Sequence, residues 1–216
     1  MKKNKLSLAF TAVLLFCSTQ VMDAQKVEKL FNGKNLSNWN FLVDKNAVPA
    51  EQVFFIKDGM IHITGNPFGY MYTKEKYGDF KLHVEWRWPN GVEANSGIFL
   101  LIEETKNPFP NGIECQLHAG DAGDLLLLGG SDIVEFQNRP GTKRPAFPVV
   151  PKVRPSSEKP AGEWNEANIY VKDGVITVFI NGVYQNTGTN KVKEGHIGLQ
   201  SEGKDIEFRA VTLTKL

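Results

Sequence analysis

Strict alternation of apolar and polar side chains is the feature that most limits what this chain can fold into. Over residues 80–88 every second residue is apolar or aromatic, and the residues between them are polar. Residues 112–119 repeat the pattern, with Ile113, Cys115 and Leu117 on one side. A period of two places alternate side chains on opposite faces of a β-strand. Both segments are therefore predicted to be strands that bury one face.

Short turn signals separate many such segments. Asp58-Gly59, Asp173-Gly174 and Asn181-Gly182 each lie between two apolar runs, as in two-residue hairpin turns. The chain also combines 14 Phe, 5 Tyr and 4 Trp with 20 Gly and 11 Pro, which is typical of all-β domains. No segment has a convincing helical pattern. We predict an all-β fold, an antiparallel β-sandwich, with residues 25–216 forming one domain.

The N-terminus has the form of a secretory signal peptide. Basic residues precede an apolar run over residues 6–17, which is shorter than the roughly 20 residues that a membrane-spanning helix needs. A polar stretch follows and ends at Ala24, a small residue suited to cleavage. We predict that residues 1–24 are removed and that the protein is periplasmic, or extracellular and at the cell surface. No later segment is predicted to cross a membrane.

Cysteine and charge content exclude several classes of protein. After cleavage Cys115 is the one remaining cysteine, so we expect a buried thiol and no internal disulfide. The 25 Lys and Arg residues nearly balance the 24 Asp and Glu residues and are spread along the chain, for a formal net charge of +1. Neither a nucleic acid nor an anionic membrane is therefore a predicted partner.

The alternation fails between Gly129 and Gly162, where prolines are frequent. Irregular segments of this length are uncommon in compact domains and often contribute to binding sites. Two interpretations remain open for residues 129–162. The segment is either a surface excursion packed by its own side chains or a wall or lid over a cleft.

The strand faces opposite the predicted core carry groups suited to catalysis. Such faces are also common on the wet side of antiparallel sheets. Glu85 and Glu114, on strands expected to be neighbours, are a candidate acid/base pair for sugar chemistry. His118 is a candidate base or metal ligand. The two polar faces consist of His83, Glu85 and Arg87 on one strand, and Glu114, Gln116 and His118 on the other.

A glycine-rich stretch after His118 holds two further carboxylates, Asp121 and Asp124. These are weak candidate ligands for a divalent cation, because the spacing matches no specific metal signature. The alternative is a turn in which Asp side chains cap backbone amides. The sequence contains no serine-hydrolase elbow, zinc-protease helix, phosphate-binding loop or paired CxxC motif.

Several short motifs follow one another in a specific order along nearly the whole chain after residue 24. They are Leu30-Phe31-Asn32-Gly33-Lys34-Asn35-Leu36-Ser37-Asn38-Trp39, Phe80-Lys81-Leu82, Glu85-Trp86-Arg87, Asn95-Ser96-Gly97-Ile98-Phe99, Gly112-Ile113-Glu114-Cys115-Gln116, Pro160-Ala161-Gly162-Glu163-Trp164-Asn165, Asn181-Gly182, Gly195-His196-Ile197-Gly198-Leu199-Gln200 and Glu207-Phe208-Arg209. This ordered set resembles the 3-keto-disaccharide hydrolase domain family of secreted bacterial proteins.

The resemblance implies a concanavalin-A-like jelly roll and cleavage of glycosides already oxidised at C3 by a partner enzyme. A C3 ketone acidifies the C2 proton, so a base can remove it and expel the C1 substituent before water adds back. One departure stands out. Glu202 occupies a position where the closing motif of the family commonly has His.

The same resemblance implies roles for individual residues. Glu114, His118 or Glu85 would transfer protons, and Arg87 or a bound divalent metal would stabilise the oxyanion. A non-catalytic carbohydrate-binding module is the alternative function, and a surface scaffold is a weaker one, because fold does not fix function. The residues expected to hold the sugar are Gln116, Asn95, His83, Trp164, Gln200 and Glu202.

The signal-peptide prediction can be tested on exported protein. Mass spectrometry of the mature N-terminus should find Gln25 as the first residue, because Ala24 is the small residue expected before the cleaved bond. A mature chain that begins at Met1 would contradict it.

Overall fold

The computed structural model describes residues 26–216, and the predicted signal peptide over residues 1–24 lies outside these described residues. Two antiparallel sheets pack face to face, which confirms the predicted all-β jelly-roll sandwich. The helical content of residues 26–216 is limited to three short 3₁₀ turns, Asp44–Asn46, Ala50–Gln52 and Pro89–Gly91. None of these turns has the length or apolar character needed to cross a bilayer.

The first sheet contains eight of the strands, which are numbered along the chain. They are β1 (Val27–Lys29), β3 (Phe54–Lys57), β4 (Met60–Ile63), β6 (Phe80–Arg87), β11 (Asn165–Lys172), β12 (Val175–Ile180), β13 (Val183–Thr189) and β15 (Ile206–Lys215). Their order across the sheet is β13-β12-β11-β6-β15-β4-β3, and β1 pairs with β15.

The second sheet contains seven strands. They are β2 (Trp39–Val43), β5 (Gly69–Thr73), β7 (Gly97–Glu104), β8 (Asn111–Gln116), β9 (Leu125–Leu128), β10 (Val149–Val150) and β14 (His196–Ser201). Their order is β10-β9-β8-β7-β14-β5-β2, so β6 and β8 belong to different sheets.

The core between the sheets is filled by the apolar members of the alternating strands. From the first sheet, β6 contributes Leu82 and Trp86, which are fully buried. From the second sheet, β8 contributes Ile113 and Cys115 to the same cluster. Burial raises the pKa of the Cys115 thiol, so this cysteine packs as a small apolar group, as predicted. The polar members of β6 and β8 consequently lie on the two opposite outer faces of the sandwich.

The predicted hairpins are present, and their turns explain the residues found there. Asp58 and Gly59 both have positive φ angles, 53° and 74°, as a two-residue turn between β3 and β4 requires. The Asp173-Gly174 and Asn181-Gly182 turns repeat this geometry at the two ends of β12.

The proline-rich stretch over residues 129–162 runs along one open side of the sandwich. The Val134 amide donates to the Thr189 carbonyl on β13, at 3.0 Å. The Leu127 amide of β9 donates to the Pro148 carbonyl, at 2.9 Å, and β10 pairs with β9. The stretch therefore links the edge of one sheet to the edge of the other. Its last residues also line one side of a cleft, which agrees with the interpretation of this segment as a wall.

Candidate active site

The outer face of the first sheet carries a ladder of cross-strand ion pairs. Glu85 Oε2 accepts from Arg209 Nε at 2.5 Å, and Glu207 Oε2 accepts from Arg87 Nε at 2.7 Å. The Trp164 ring lies 4.0 Å from the Arg209 guanidinium carbon and 4.7 Å from that of Arg87. These groups satisfy one another, which is the behaviour of a solvated sheet face.

Four of the predicted site residues belong to this ladder or border it, and they are far from Glu114 in the fold. Glu85, Arg87 and His83 lie on β6, and Trp164 covers two arginines beside it. His83 contacts Asn168 on the neighbouring β11, at 3.1 Å. The expectation that Glu85 and Glu114 occupy neighbouring strands is wrong, because the hydrophobic core separates the two faces. Arg87 is likewise not positioned to stabilise an oxyanion near Glu114.

A second polar cluster lies on the outer face of the second sheet, where three strands end together. Gln116 pairs with Gly97 across β8 and β7, and Gln200 pairs with Tyr70 across β14 and β5. Continuing the register places Gln200 beside Gly97, so these four residues form one row across the sheet. The next row begins with Asn95, which forms a β-bridge with Glu202. The Ala119 amide donates to the Ala94 carbonyl, and this pairing places His118 opposite Asn95.

Glu114 reaches into this cluster from the neighbouring row. Its side chain lies directly over Gly97, where a Cβ would collide with Glu114 Oε1 and Cγ. Because Gly97 has no side chain, the carboxyl can rest against the backbone of β7. Glu114 is only 2 % exposed. Burial, and then the nearby Glu202 carboxyl, raise the pKa of Glu114 well above its ordinary value.

Unpaired polar atoms concentrate at the same place. Within residues 26–216, Glu114 Oε1, Tyr70 Oη, Gln200 Oε1 and Asn95 Oδ1 are buried and lack hydrogen-bond partners. Leaving one such atom unpaired costs roughly 1–3 kcal/mol, so four in one cluster represent a substantial penalty. A polar ligand that completed these hydrogen bonds would remove the penalty, which is the property expected of a binding site.

Glu202 is the second carboxyl of the cluster. Gln200 Nε2 donates to Glu202 Oε2 at 2.7 Å, and the Asn95 side chain also hydrogen-bonds this carboxyl. Burial raises the pKa of Glu202, although these two hydrogen bonds and the charge of His118 partly oppose the increase. Glu114 and Glu202 thus form a pair of desolvated carboxyls, and the charge of Glu202 acts on Glu114.

His118 stands at the exposed rim of the cluster. Its Nδ1 lies 2.9 Å from Asp121 Oδ2, and Asp121 Oδ1 lies 3.4 Å from Lys152 Nζ. A carboxylate on Nδ1 favours the tautomer that leaves Nε2 free to accept a proton. Gln116 instead turns back, and its Oε1 accepts the backbone amides of residues 117 and 118. Gln116 therefore supports the backbone that carries His118.

The two weak metal candidates have other partners. Asp124 Oδ1 accepts the Lys152 amide at 2.8 Å, and Asp121 binds His118 and Lys152. The Gly120 and Ala122 amides of the turn are capped by Glu158 from the proline-rich stretch rather than by an Asp. No group of three or more His, Cys, Asp or Glu side chains suited to a metal ion occurs in residues 26–216.

Two clefts lie near the ends of this cluster, but neither is lined by Glu202, Asn95 or His118. One, of about 350 Å³, lies next to His118 between the Gly120 turn and the end of the proline-rich stretch. The other, of about 320 Å³, lies next to Glu202 and includes Gly203. A third cleft of about 260 Å³, around Ser131, is at the other end of β8 and includes none of the clustered polar groups.

The sequence interpretation missed two parts of this site. Tyr70 lies on β5, a five-residue strand whose alternation in Gly-Tyr-Met-Tyr-Thr is a detectable signal. Burial raises the pKa of Tyr70, so its hydroxyl stays a neutral donor. Gly97 belongs to one of the sequence motifs, but its position beneath the Glu114 side chain follows from the pairing of β7 with β8.

The raised pKa of Glu114 predicts a specific pH dependence of stability. The folded chain holds this proton more tightly than the unfolded chain, so stability should fall as pH rises above about 4.5 through the raised pKa. Glu114→Gln cannot ionise at this position. Between pH 5 and pH 8 its melting temperature should therefore fall by at least about 2 °C less than that of the wild type. The exposed Glu51→Gln is the matched control and should follow the wild type. Parallel curves for wild type and Glu114→Gln would contradict the burial of a protonated carboxyl.

Comparison with solved structures finds proteins with the same β-sandwich fold. A putative glycosyl hydrolase from Parabacteroides distasonis superimposes with a TM-score of 0.64 at 22 % identity, over 88 % of this chain and all of that one. The carbohydrate-binding module CBM66 from Bacillus subtilis superimposes with a TM-score of 0.59 at 9 % identity, over 82 % of this chain and 96 % of that one. Both likenesses concern the sandwich alone.

Sequence comparison is more specific. A 3-keto-disaccharide hydrolase from Bacteroides thetaiotaomicron is 26 % identical over 245 aligned positions, which cover 90 % of this chain and 80 % of that protein. The model of the 3-keto-alpha-glucoside-1,2-lyase-like domain family matches residues 26–214. Because this match spans nearly all of the described residues, the chain belongs to that family and is an enzyme of the glycosidase type.

Proposed function

We propose that the protein cleaves 3-keto-glycosides by removing the C2 proton, expelling the C1 substituent and then adding water. One observation supports this function above the others. The Glu114 carboxyl is buried with an unpaired oxygen, beside the second carboxyl of Glu202, on a face lined by amides and a tyrosine hydroxyl. A proton-transfer reaction on a polar sugar needs such a pair.

The chemistry balances without an external oxidant or reductant. A base takes the C2 proton, and the electrons of that C–H bond pass through the enolate of the C3 ketone. They form a C1=C2 double bond as the C1–O bond breaks, and the departing oxygen takes a proton from an acid. Water then adds across the double bond and yields the free 3-keto sugar.

Glu114 is assigned as the acid and Glu202 as the base. Burial raises the pKa of Glu114 well above its ordinary value, which favours the protonated carboxyl that can donate to the departing oxygen. Glu202 is less buried and held by two amide donors, which favour its ionised form. Its own raised pKa makes it a stronger base than an exposed glutamate. Glu202 also stands where the family motif commonly has His, and the raised pKa brings the carboxyl closer to the basicity of imidazole.

The enolate oxygen also needs a donor, and Tyr70 is assigned to this role. Its hydroxyl is buried in the same row as Gln200, is unpaired and stays protonated. A fixed donor in a water-poor site stabilises developing negative charge effectively. Tyr70 is thus proposed to stabilise the oxyanion, the role that the sequence analysis gave to Arg87. Asn95 and Gln200 are assigned to the sugar hydroxyls through their unpaired oxygens.

His118 is assigned to the hydration step. It lies at the rim, where water enters, and its Nδ1 is held by Asp121. Nε2 can then accept a proton from the water that adds to C1.

A non-catalytic sugar-binding module is the rival function, since a carbohydrate-binding module superimposes on the same sandwich. The buried carboxyl favours an enzyme. A binder gains little from a desolvated acid that destabilises the fold, whereas an acid catalyst requires one.

We also propose that the protein acts after export. Its substrate would be supplied by an enzyme of another class that oxidises the C3 hydroxyl of the glycoside, because this reaction needs the ketone and does not form it.

The proposal is tested by turnover of a 3-keto-glucoside and of its unoxidised parent. Only the ketone should react, and Glu114→Gln and Glu202→Gln should each lower kcat by at least about 100-fold. Glu202→His should restore part of the loss, because imidazole can serve as the base. Glu85→Gln, on the opposite face, should stay within about twofold of the wild type.

No turnover of either compound would argue for the binding module instead. An unchanged kcat in Glu114→Gln, or a large loss in Glu85→Gln, would place the chemistry elsewhere.

A further inference from the structure

Three phenylalanine rings from three separate connections meet at the surface. Phe68 precedes β5, Phe109 lies between β7 and β8, and Phe147 lies in the proline-rich stretch just before β10. The ring centres of Phe68 and Phe109 are 5.9 Å apart, and those of Phe109 and Phe147 are 5.0 Å apart. We call these three residues the aromatic row. Its two ends remain exposed, Phe68 by 42 % and Phe147 by 45 %.

The aromatic row lies on the same outer face as the carboxyl pair. Phe68 is two residues before Tyr70, and Phe147 is two residues before Val149, which pairs with Leu126 beside Glu114. Both residues lie just before their strands, and extending the alternation of β5 and β10 back to them places Phe68 and Phe147 on the face that carries Glu114.

Phe68 is also close to the end of β14, the strand that Glu202 directly follows. Gly69 pairs with Ser201, and Ser201 Oγ donates to the Pro67 carbonyl at 2.9 Å. The aromatic row consequently begins beside Glu202 and extends away from it.

Neighbouring prolines and a backbone hydrogen bond restrict the backbone that carries these rings. Each ring has a proline as a sequence neighbour, Pro67 before Phe68, Pro148 after Phe147 and prolines on both sides of Phe109. Proline limits the backbone freedom that would otherwise be lost on binding. The Phe68 carbonyl accepts the Asp44 amide at 2.7 Å, which anchors it to the end of β2.

A row of aromatic rings with two exposed members, next to a cluster of polar groups, has a clear chemical use. Ligand sites combine apolar and aromatic walls with a few placed polar groups. The face of an aromatic ring is negatively polarised and attracts the C–H groups on the apolar side of a sugar or the edge of an aryl group.

We propose that the aromatic row is a second binding subsite, which takes the part of the glycoside attached to the reacting keto sugar. That part is a second sugar ring or an aryl group with an apolar face. This assignment rests on the proposed function for the location of the reacting sugar. Selectivity for glycosides that carry such a group then arises in the aromatic row, and the carboxyl pair does not contribute to it.

Kinetics with two substrates tests the subsite. Phe147→Ala and Phe68→Ala should each raise KM for a phenyl 3-keto-glucoside by about threefold to tenfold, because each removes one stacking surface. The KM for the methyl 3-keto-glucoside, which lacks the second group, should not change, and kcat should stay the same for both. Tyr184→Ala is the matched control, since Tyr184 is an equally exposed aromatic residue that packs on Phe179 in the first sheet.

A binding measurement separates the subsite from the proposed chemistry. Saturation-transfer NMR with unoxidised phenyl glucoside should detect contact with the phenyl protons in the wild type and in Glu114→Gln. The contact should be lost in Phe147→Ala, whose fold is checked by its thermal unfolding. Loss of this contact in Phe147→Ala supports the subsite even if the wild type turns over no 3-keto-glycoside. Equal phenyl contact in wild type and Phe147→Ala, or no contact in the wild type, would overturn the subsite.

Discussion

A carboxylic acid buried against the second sheet is the constraint on which the site depends. Glu114 lies over the bare backbone of Gly97, with a second carboxyl near it and one oxygen unpaired. Burial disfavours the charged form, so the group is held as an acid at a pH where exposed glutamates are ionised. The surrounding amides and the Tyr70 hydroxyl do not relieve this cost, because their own acceptors and donor are also buried and unpaired.

The sandwich explains why only one of its two polar faces is suited to chemistry. Strand β6 sends its charged residues to the outer face of the first sheet, where they pair across strands with β15. The Glu85–Arg209 pair is partly exposed, and a pair of this kind contributes about 0–1 kcal/mol, whereas Glu207 is buried and has Arg87 as its partner. Strand β8 sends Glu114 to the opposite face, where no Lys or Arg side chain among residues 26–216 forms a salt bridge with it. The same residue types thus have different consequences, according to whether a partner strand supplies the opposite charge.

Much of the fold could be predicted from local pattern. The alternation in β6 and β8 and the Asp-Gly and Asn-Gly turns identified strands and buried faces, because both follow from the geometry of one or two strands. Strand pairing could not be obtained this way, since β6 and β8 are similar in pattern yet lie in different sheets. Glu85 and Glu114 were therefore placed together wrongly. Five site residues named from the sequence do come together, namely Glu114, Gln200, Asn95, Glu202 and His118. Tyr70 and the position of Gly97 beneath Glu114 become evident only from the strand register.

The state of the carboxyl pair can be observed directly by carbon-13 NMR of glutamate side chains during a titration of the free protein. The Glu114 resonance should remain that of a protonated acid at pH values where exposed glutamates have ionised. Its midpoint should fall in Glu202→Gln, because the neighbouring charge is one cause of the raised pKa. A Glu114 carboxyl that titrates together with the exposed glutamates, and does not respond to Glu202→Gln, would contradict the account.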